Sequence, residues 1–417
     1  MSPAARRTAL VRLISVVATT AAACALPAAT TSATADEIQP TVTSWGAGSV
    51  GQLGNGTVTD SSTPAAVTDL LRGDVKEISA GGTTSENGFA LALATTGGTV
   101  RAWGHNASGQ LGNSSHAAQK VPVKVPKLPP VTDIAAGGEH ALALDAHGQV
   151  YSWGDNAYGQ LGNNRTGDTR STPARIQGLP NVKQIAAGCD FSLALLQNGA
   201  VYAWGRGVHG QLGNGKRETS PVPRRVNGLP KVAKIDAGCH HAIALTQVEK
   251  GQEEGAPAGT SVVKSWGYNV YGQLGNSSTA SSATPVDVDF LEDVADIDAG
   301  GWHNYARLSN GQIWGWGHNQ YGQLLDENEF YDGEFYRTNR TAPIEIPQLR
   351  GLVKIGAGAH HGVALKDDHI YTWGQNADGQ LGNGTTTDSH VLVKVLDSDS
   401  STTDVTASLG SNTTYVH

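Results

Sequence analysis

The dipeptide Trp-Gly occurs at Trp45, Trp103, Trp153, Trp204, Trp266, Trp316 and Trp373, and a Gly-Gln-Leu-Gly-Asn element always begins six residues after the tryptophan. Only the sixth copy departs, reading Gly322-Gln323-Leu324-Leu325-Asp326. An identical offset kept seven times marks an internal repeat of roughly 50 residues, the signature of a solenoid, propeller or array. One unit is legible between Ile134 and Pro173. An Ile-Ala-Ala strand leads to a Gly137-Gly138 turn, and His140 to Leu144 alternates as a second strand. A turn at Asp145 to Gly148 precedes a third strand, Val150 to Trp153. After an Asn/Gly loop, Thr172 to Ile176 reads as an edge strand, where Pro173 is tolerated. Four short antiparallel strands repeated radially describe a blade of a β-propeller. The 53 glycines among 417 residues supply the turns such a fold demands.

The ends of the chain complete the count. Val405 to Ser408 is a degraded first strand and Asn412 to Val416 a second, with no Trp-Gly after them. Thr41 to Trp45 opens with a third strand that lacks the preceding half of its unit. Pairing the two halves closes a ring and removes its exposed edges. The expected architecture is all-β: a seven-bladed β-propeller of four-stranded antiparallel blades over residues 36–417, closed by its N- and C-terminal segments.

The first 35 residues differ in kind. Arg6, Arg7 and Arg12 precede or enter an apolar stretch from Val11 to Leu26, and Ala33-Thr34-Ala35 follows just before Asp36. That is the order of a cleaved secretory signal peptide, and it places the mature chain in a secreted or extracytoplasmic location. A membrane anchor fits less well, because Thr and Ser interrupt the apolar run. The flanks of Arg6-Arg7 are poor for the twin-arginine route, and Cys24 lacks the aliphatic context of a lipidation site. The leader holds three of the 29 basic residues and none of the 37 acidic ones, which leaves a mature charge of about −11. Such a balance disfavours nucleic acid and anionic lipid as partners. Cys189 and Cys239 occupy the same Ala-Gly-Cys position in consecutive units. Two buried thiols are the first expectation, with a bridge between neighbouring repeats as the alternative.

The pattern Ile-x-Ala-Gly-x-x-His-x-x-Ala-Leu, then Trp-Gly-x-Asn-x-x-Gly-Gln-Leu-Gly, resembles the regulator of chromosome condensation repeat family over residues 41–417. The resemblance implies a seven-bladed propeller and does not carry a single chemistry. That family's founding member is a nuclear guanine-nucleotide exchange factor, and its relatives include a plant ultraviolet-B receptor and secreted bacterial inhibitors of β-lactamases. What they share is binding through a propeller face. Trp302, in Gly300-Gly301-Trp302-His303, is similar to the receptor's tryptophan motif, but it stands alone and lacks the following Arg-His.

Catalytic signatures are absent: the chain has no H-E-x-x-H, no G-x-S-x-G and no closely spaced Cys/His cluster. Gly210 to Lys216 imitates a phosphate loop, yet Arg217 stands where Ser or Thr would hold magnesium. Asp326 to Glu329 lacks the ligand order of a calcium loop. His140, His241, His303 and His361 share one repeat position, with Phe191 substituting in another unit and Ser411 in the degraded one. They are expected to satisfy backbone groups of their own turns and not to form a shared metal site. No enzyme activity, cofactor or metal is expected.

Because the fold accounts for what every blade shares, function should sit where blades differ. Strand parity puts the Ala-Gly turns and the Gly-Gln-Leu-Gly loops on one face. At the turns that face carries Glu139, Asp190, His240, Trp302 and His360, and before Gly-Gln it carries Tyr158, His209, Tyr271 and Tyr321. The insertion Asp326 to Arg340 adds Phe330, Tyr331, Phe335 and Tyr336 among acids. Aromatics on a rigid scaffold are the raw material of binding hot spots. The sequence therefore predicts a monomeric, non-catalytic protein-binding module centred on Trp302 and that insertion, with a basic or mixed-charge partner patch. A cell-envelope component, or an exchange factor if the leader is misread, are the alternatives. The Gln247 to Ser261 insertion lies at the opposite end and reads as a solvated hairpin tip.

Overall fold

Seven four-stranded antiparallel sheets form in the computed structural model, which describes residues 41–247, 261–326, 329–331, 334–336, 338–398 and 402–417. The proposed leader and the tip of the Gln247 to Ser261 insertion lie outside them. Blades one to six occupy 75–124, 131–175, 182–225, 232–287, 294–345 and 354–397. The seventh combines Val405–Ala407 and Thr413–Val416 with Thr41–Gly46 and Ser61–Leu71. Its central pairing sets Trp45 against Thr414 and Ser44 against Tyr415. The first strands of the blades line a central channel of about 340 Å³.

The repeat motif has a physical explanation. All seven Trp-Gly tryptophans are fully buried, and each indole Nε1 donates to the carbonyl of the motif glutamine in the preceding unit, at 2.7–3.0 Å. Tryptophan and Gly-Gln therefore recur together because each blade's tryptophan seals the loop of the blade before it. The bond from Trp45 to Gln380 closes the circle at 2.9 Å. The last glycine of the motif adopts φ of +60 to +69° in six units, and a Cβ there would meet the next blade's indole at 2.7–2.9 Å.

The departure in the sixth motif copy is compensated. Leu325 takes the glycine-like φ of +50° and is buried. In the following blade, residue 362 is glycine where Ala90, Ala141 and Ala242 face their own tryptophans. A Cβ on Gly362 would stand 2.3 Å from Trp373 Cζ2, so the indole occupies the space that glycine leaves. Gly362→Ala is expected to cost about 1–3 kcal/mol, the overpacking scale. Adding Leu325→Gly should recover part of that loss by letting the indole move away. Melting the four proteins of this cycle measures the coupling; strictly additive costs would refute the linkage.

Two sequence expectations are corrected. Cys189 and Cys239 form a disulfide, because the ring brings equivalent turns of adjacent blades to a Cα–Cα distance of 4.5 Å. The repeated histidines do not serve their own turns. The Nε2 atoms of His140, His241 and His361 meet Ser192 Oγ, Asn304 Oδ1 and Thr414 Oγ1 of the next blade at 2.7–3.0 Å. Phe89 and Phe191 instead precede blades carrying Ala141 and Ala242 at that point, so the pair changes polarity together. His303 precedes Gly362 and has no such partner. In the closing blade the equivalent residue is Thr413, paired with Gly46, and not Ser411. Burial holds the pKa of His140 and His361 at about 3 and of His241 at about 4, so these links are neutral at physiological pH.

Candidate functional site: an aromatic and acidic propeller face

The motif side chains fix two positions on the Ala-Gly/Gly-Gln face. Each motif glutamine accepts, through Oε1, the backbone N–H of the residue two before it, at 2.9–3.0 Å for Tyr158, His209, Tyr271 and Tyr321. In three units its amide nitrogen also reaches the residue just after Trp-Gly: Gln110 to His105 Nδ1 at 2.9 Å, Gln160 to Asp155 at 2.7 Å, and Gln323 to His318 Nδ1 at 2.7 Å. The motif asparagine secures the loop from below, as Asn269 Oδ1 accepts from Leu274 N at 2.8 Å. Variable side chains thus project from a loop whose backbone does not vary.

On one arc those side chains are rings in unbroken contact. His209 lies 5.5 Å from His240 and 5.0 Å from Tyr268, measured between centroids. Trp302 contacts His240 at 5.4 Å and both Tyr268 and Tyr271 at 5.8 Å. Tyr271 meets His318 at 4.7 Å, and His318 meets His360 at 5.0 Å. Tyr321 closes the belt against His360 at 5.2 Å. Most contacts are edge-to-face, the arrangement aromatic quadrupoles favour. Trp302 rests on the Cys189–Cys239 bridge and Leu409. Burial lowers the pKa of His240 and His360 to about 4, and burial also lowers those of His209 and His318. At neutral pH the belt is uncharged.

The other arc is acidic. Glu139 accepts from Asn87 Nδ2 at 2.9 Å and from Ser108 Oγ at 2.7 Å. Asp190 pairs with Arg206 at 3.0 Å, and the Arg206 guanidinium sits 5.0 Å from the centre of the Tyr158 ring. Burial, reinforced by the charge of Glu139, raises the pKa of both Asp155 and Asp190. Tyr158 therefore belongs with the acids and Arg206, apart from the belt.

Of the residues singled out in the sequence, His209, His240, Trp302, Tyr271, Tyr321 and His360 are brought together in the belt, and Glu139, Asp190 and Tyr158 in the acidic arc. Tyr268, His318 and Arg206 were missed. All three follow Trp-Gly directly, a position that varies between blades as much as those considered. Within the insertion, Glu329–Tyr331 and Glu334–Tyr336 pair as a two-stranded hairpin. The side chains of Phe330, Tyr331, Phe335 and Tyr336 lie outside the described residues. Among the described residues no group of His, Cys, Asp and Glu is arranged to hold a metal, and no helix is long and apolar enough to cross a membrane.

A seven-bladed ring of four-stranded antiparallel sheets, sealed by tryptophan-to-glutamine bonds, defines an all-β propeller. Residues 41–416 match the RCC1-like domain, and the chain belongs to that family. It is 29% identical over 356 residues to the ultraviolet-B receptor UVR8 of Arabidopsis thaliana, covering 83% of this chain and 76% of the receptor. It is 30% identical over 365 residues to the secretion-regulating guanine nucleotide exchange factor of Bos taurus, covering 82% and 76%. Among solved structures, Prp20p from Saccharomyces cerevisiae, described with its binding to Gsp1p and histones, superposes with a TM-score of 0.76 at 25% identity over 91% of each chain.

Proposed function

We propose that this protein is an exported, non-catalytic binding module that engages another protein through its Ala-Gly/Gly-Gln face. The observation that carries the reading is the eight-ring belt around Trp302. Large rings, seven of the eight partly exposed and His318 buried among them, are held by a loop backbone that need not reorder, an arrangement well suited to binding hot spots. The family supports protein recognition as the type of function, since Prp20p is described by its binding to Gsp1p and histones. Export rests on the leader-like first 35 residues.

Two measurements test the reading. Fractionation should recover cleaved protein outside the cytoplasm; uncleaved cytoplasmic protein would restore the exchange-factor alternative. Immobilised wild-type protein should retain an extracytoplasmic protein that Trp302→Ala retains far more weakly. The expected loss is about 2 kcal/mol, with the fold retained by circular dichroism. Retention that ignores Trp302→Ala would move the binding surface elsewhere.

A further inference from the structure

The turns and loops that carry the belt and the acidic arc are unbalanced in charge. Glu86, Glu139, Asp155, Asp190 and Asp378 all lie on them. Arg206 is committed to Asp190, and Arg217 reaches in from an outer loop to the His209 carbonyl at 3.3 Å. Hydrogen bonds from Asn87, Ser108, Gln160 and Asn412 orient four carboxylate oxygens without neutralising them. The effect of Glu139 on both Asp155 and Asp190 shows that these charges repel one another. Beside them stands the uncharged belt, its rings presenting π-electron density, with Val208 and Val270 45% and 51% exposed among them.

A partner complementary to this face brings positive charge and some apolar surface on the same segment. A guanidinium satisfies both arcs, since it forks onto carboxylates and lies over aromatic rings. Arg206, bonded to Asp190 and placed by the Tyr158 ring, already shows that combination within the chain. We propose that the face receives a protruding basic segment of a partner protein, its arginine or lysine heads shared between the acidic arc and the Trp302 belt. This proposal rests on the protein-binding reading above and specifies its partner's chemistry.

The test uses a peptide of about 12 residues alternating arginine with glycine and tyrosine, and its counterpart with citrulline at every arginine. Seven of the nine tryptophans are the buried motif residues, which leaves Trp302 as a fluorescence reporter on this face. The arginine peptide should bind at least about tenfold more tightly than the citrulline peptide, the scale of one or two cation–π contacts. Tyr271→Ala, and Glu139→Gln combined with Asp190→Asn, should each weaken it severalfold, read by calorimetry with folding checked by circular dichroism. Glu292→Gln with Asp293→Asn removes two acids from the opposite end and should leave affinity unchanged. Equal binding of the two peptides, or equal losses from either end, overturns the proposal. If a natural partner is retained in a Trp302-dependent way while the peptides bind alike, the docking face stands and its basic preference falls. If that retention ignores Trp302, the face itself is refuted.

Discussion

A chain ending at residue 402 is expected to lose the soluble, cooperatively folded ring. The deletion removes Val405–Ala407 and Thr413–Val416, the two inner strands of the closing blade. Thr41–Gly46 then becomes an unpaired edge, a template for association with other chains. The buried side chains of Val405, Leu409, Tyr415 and Val416 are lost as well. At about 1.5–3 kcal/mol for each, their burial alone is worth roughly 6–12 kcal/mol, comparable to the whole stability of a typical domain. Polar links go with them: Tyr415 Oη donates to Gln52 O at 2.5 Å, and Thr414 Oγ1 donates to Gln380 O at 3.0 Å while meeting His361. Size-exclusion chromatography and thermal melting of the truncated and full chains decide the matter. A monomeric truncated protein that melts with the full chain would show that closure by the terminus contributes nothing.

The architecture was legible because the repeat records contacts between blades. A tryptophan that must donate to the preceding loop and a glycine that must let it approach are fixed by the same packing, so they recur at one offset. Strand parity then placed the turns and loops on one face without any side-chain geometry. What sequence could not show was which non-repeated side chains of different units touch. Tyr268 and His318 join the belt because two loops meet in space, although their variability between blades was visible. The partners of the histidines, Ser192, Asn304 and Thr414, lie 52, 63 and 53 residues onward, beyond the reach of the pattern within one repeat. The signal was present nonetheless: three of the four histidines precede a blade with Ser, Asn or Thr at the partner position, His303 precedes one with Gly, and Phe precedes one with Ala. Gly362 was unremarkable until the positive φ of Leu325 and the indole of Trp373 gave it a reason.

Loss of the Cys189–Cys239 bridge is expected to be the second large perturbation. The bridge spans 50 residues of sequence and joins the turns of blades three and four. In the chain-entropy picture, closing a loop of that length stabilises the fold by roughly 4 kcal/mol, and measured cases commonly give 2–4. The bridged turns are already linked by a backbone bond, Cys189 N to Cys239 O at 3.0 Å, and Cys239 N continues the series to Gly301 O of blade five at 3.1 Å. The covalent link therefore acts chiefly on the unfolded chain, and the folded face should persist without it. Cys189→Ser should accordingly lower the denaturation midpoint while retaining most of the affinity at Trp302. A reductant should shift the wild-type midpoint by a similar amount and leave Cys189→Ser unmoved. If the reductant leaves the wild-type midpoint in place, the disulfide is not a source of stability. If it spares the midpoint but abolishes binding, the bridge instead positions Asp190 and His240, the residues that directly follow its two cysteines.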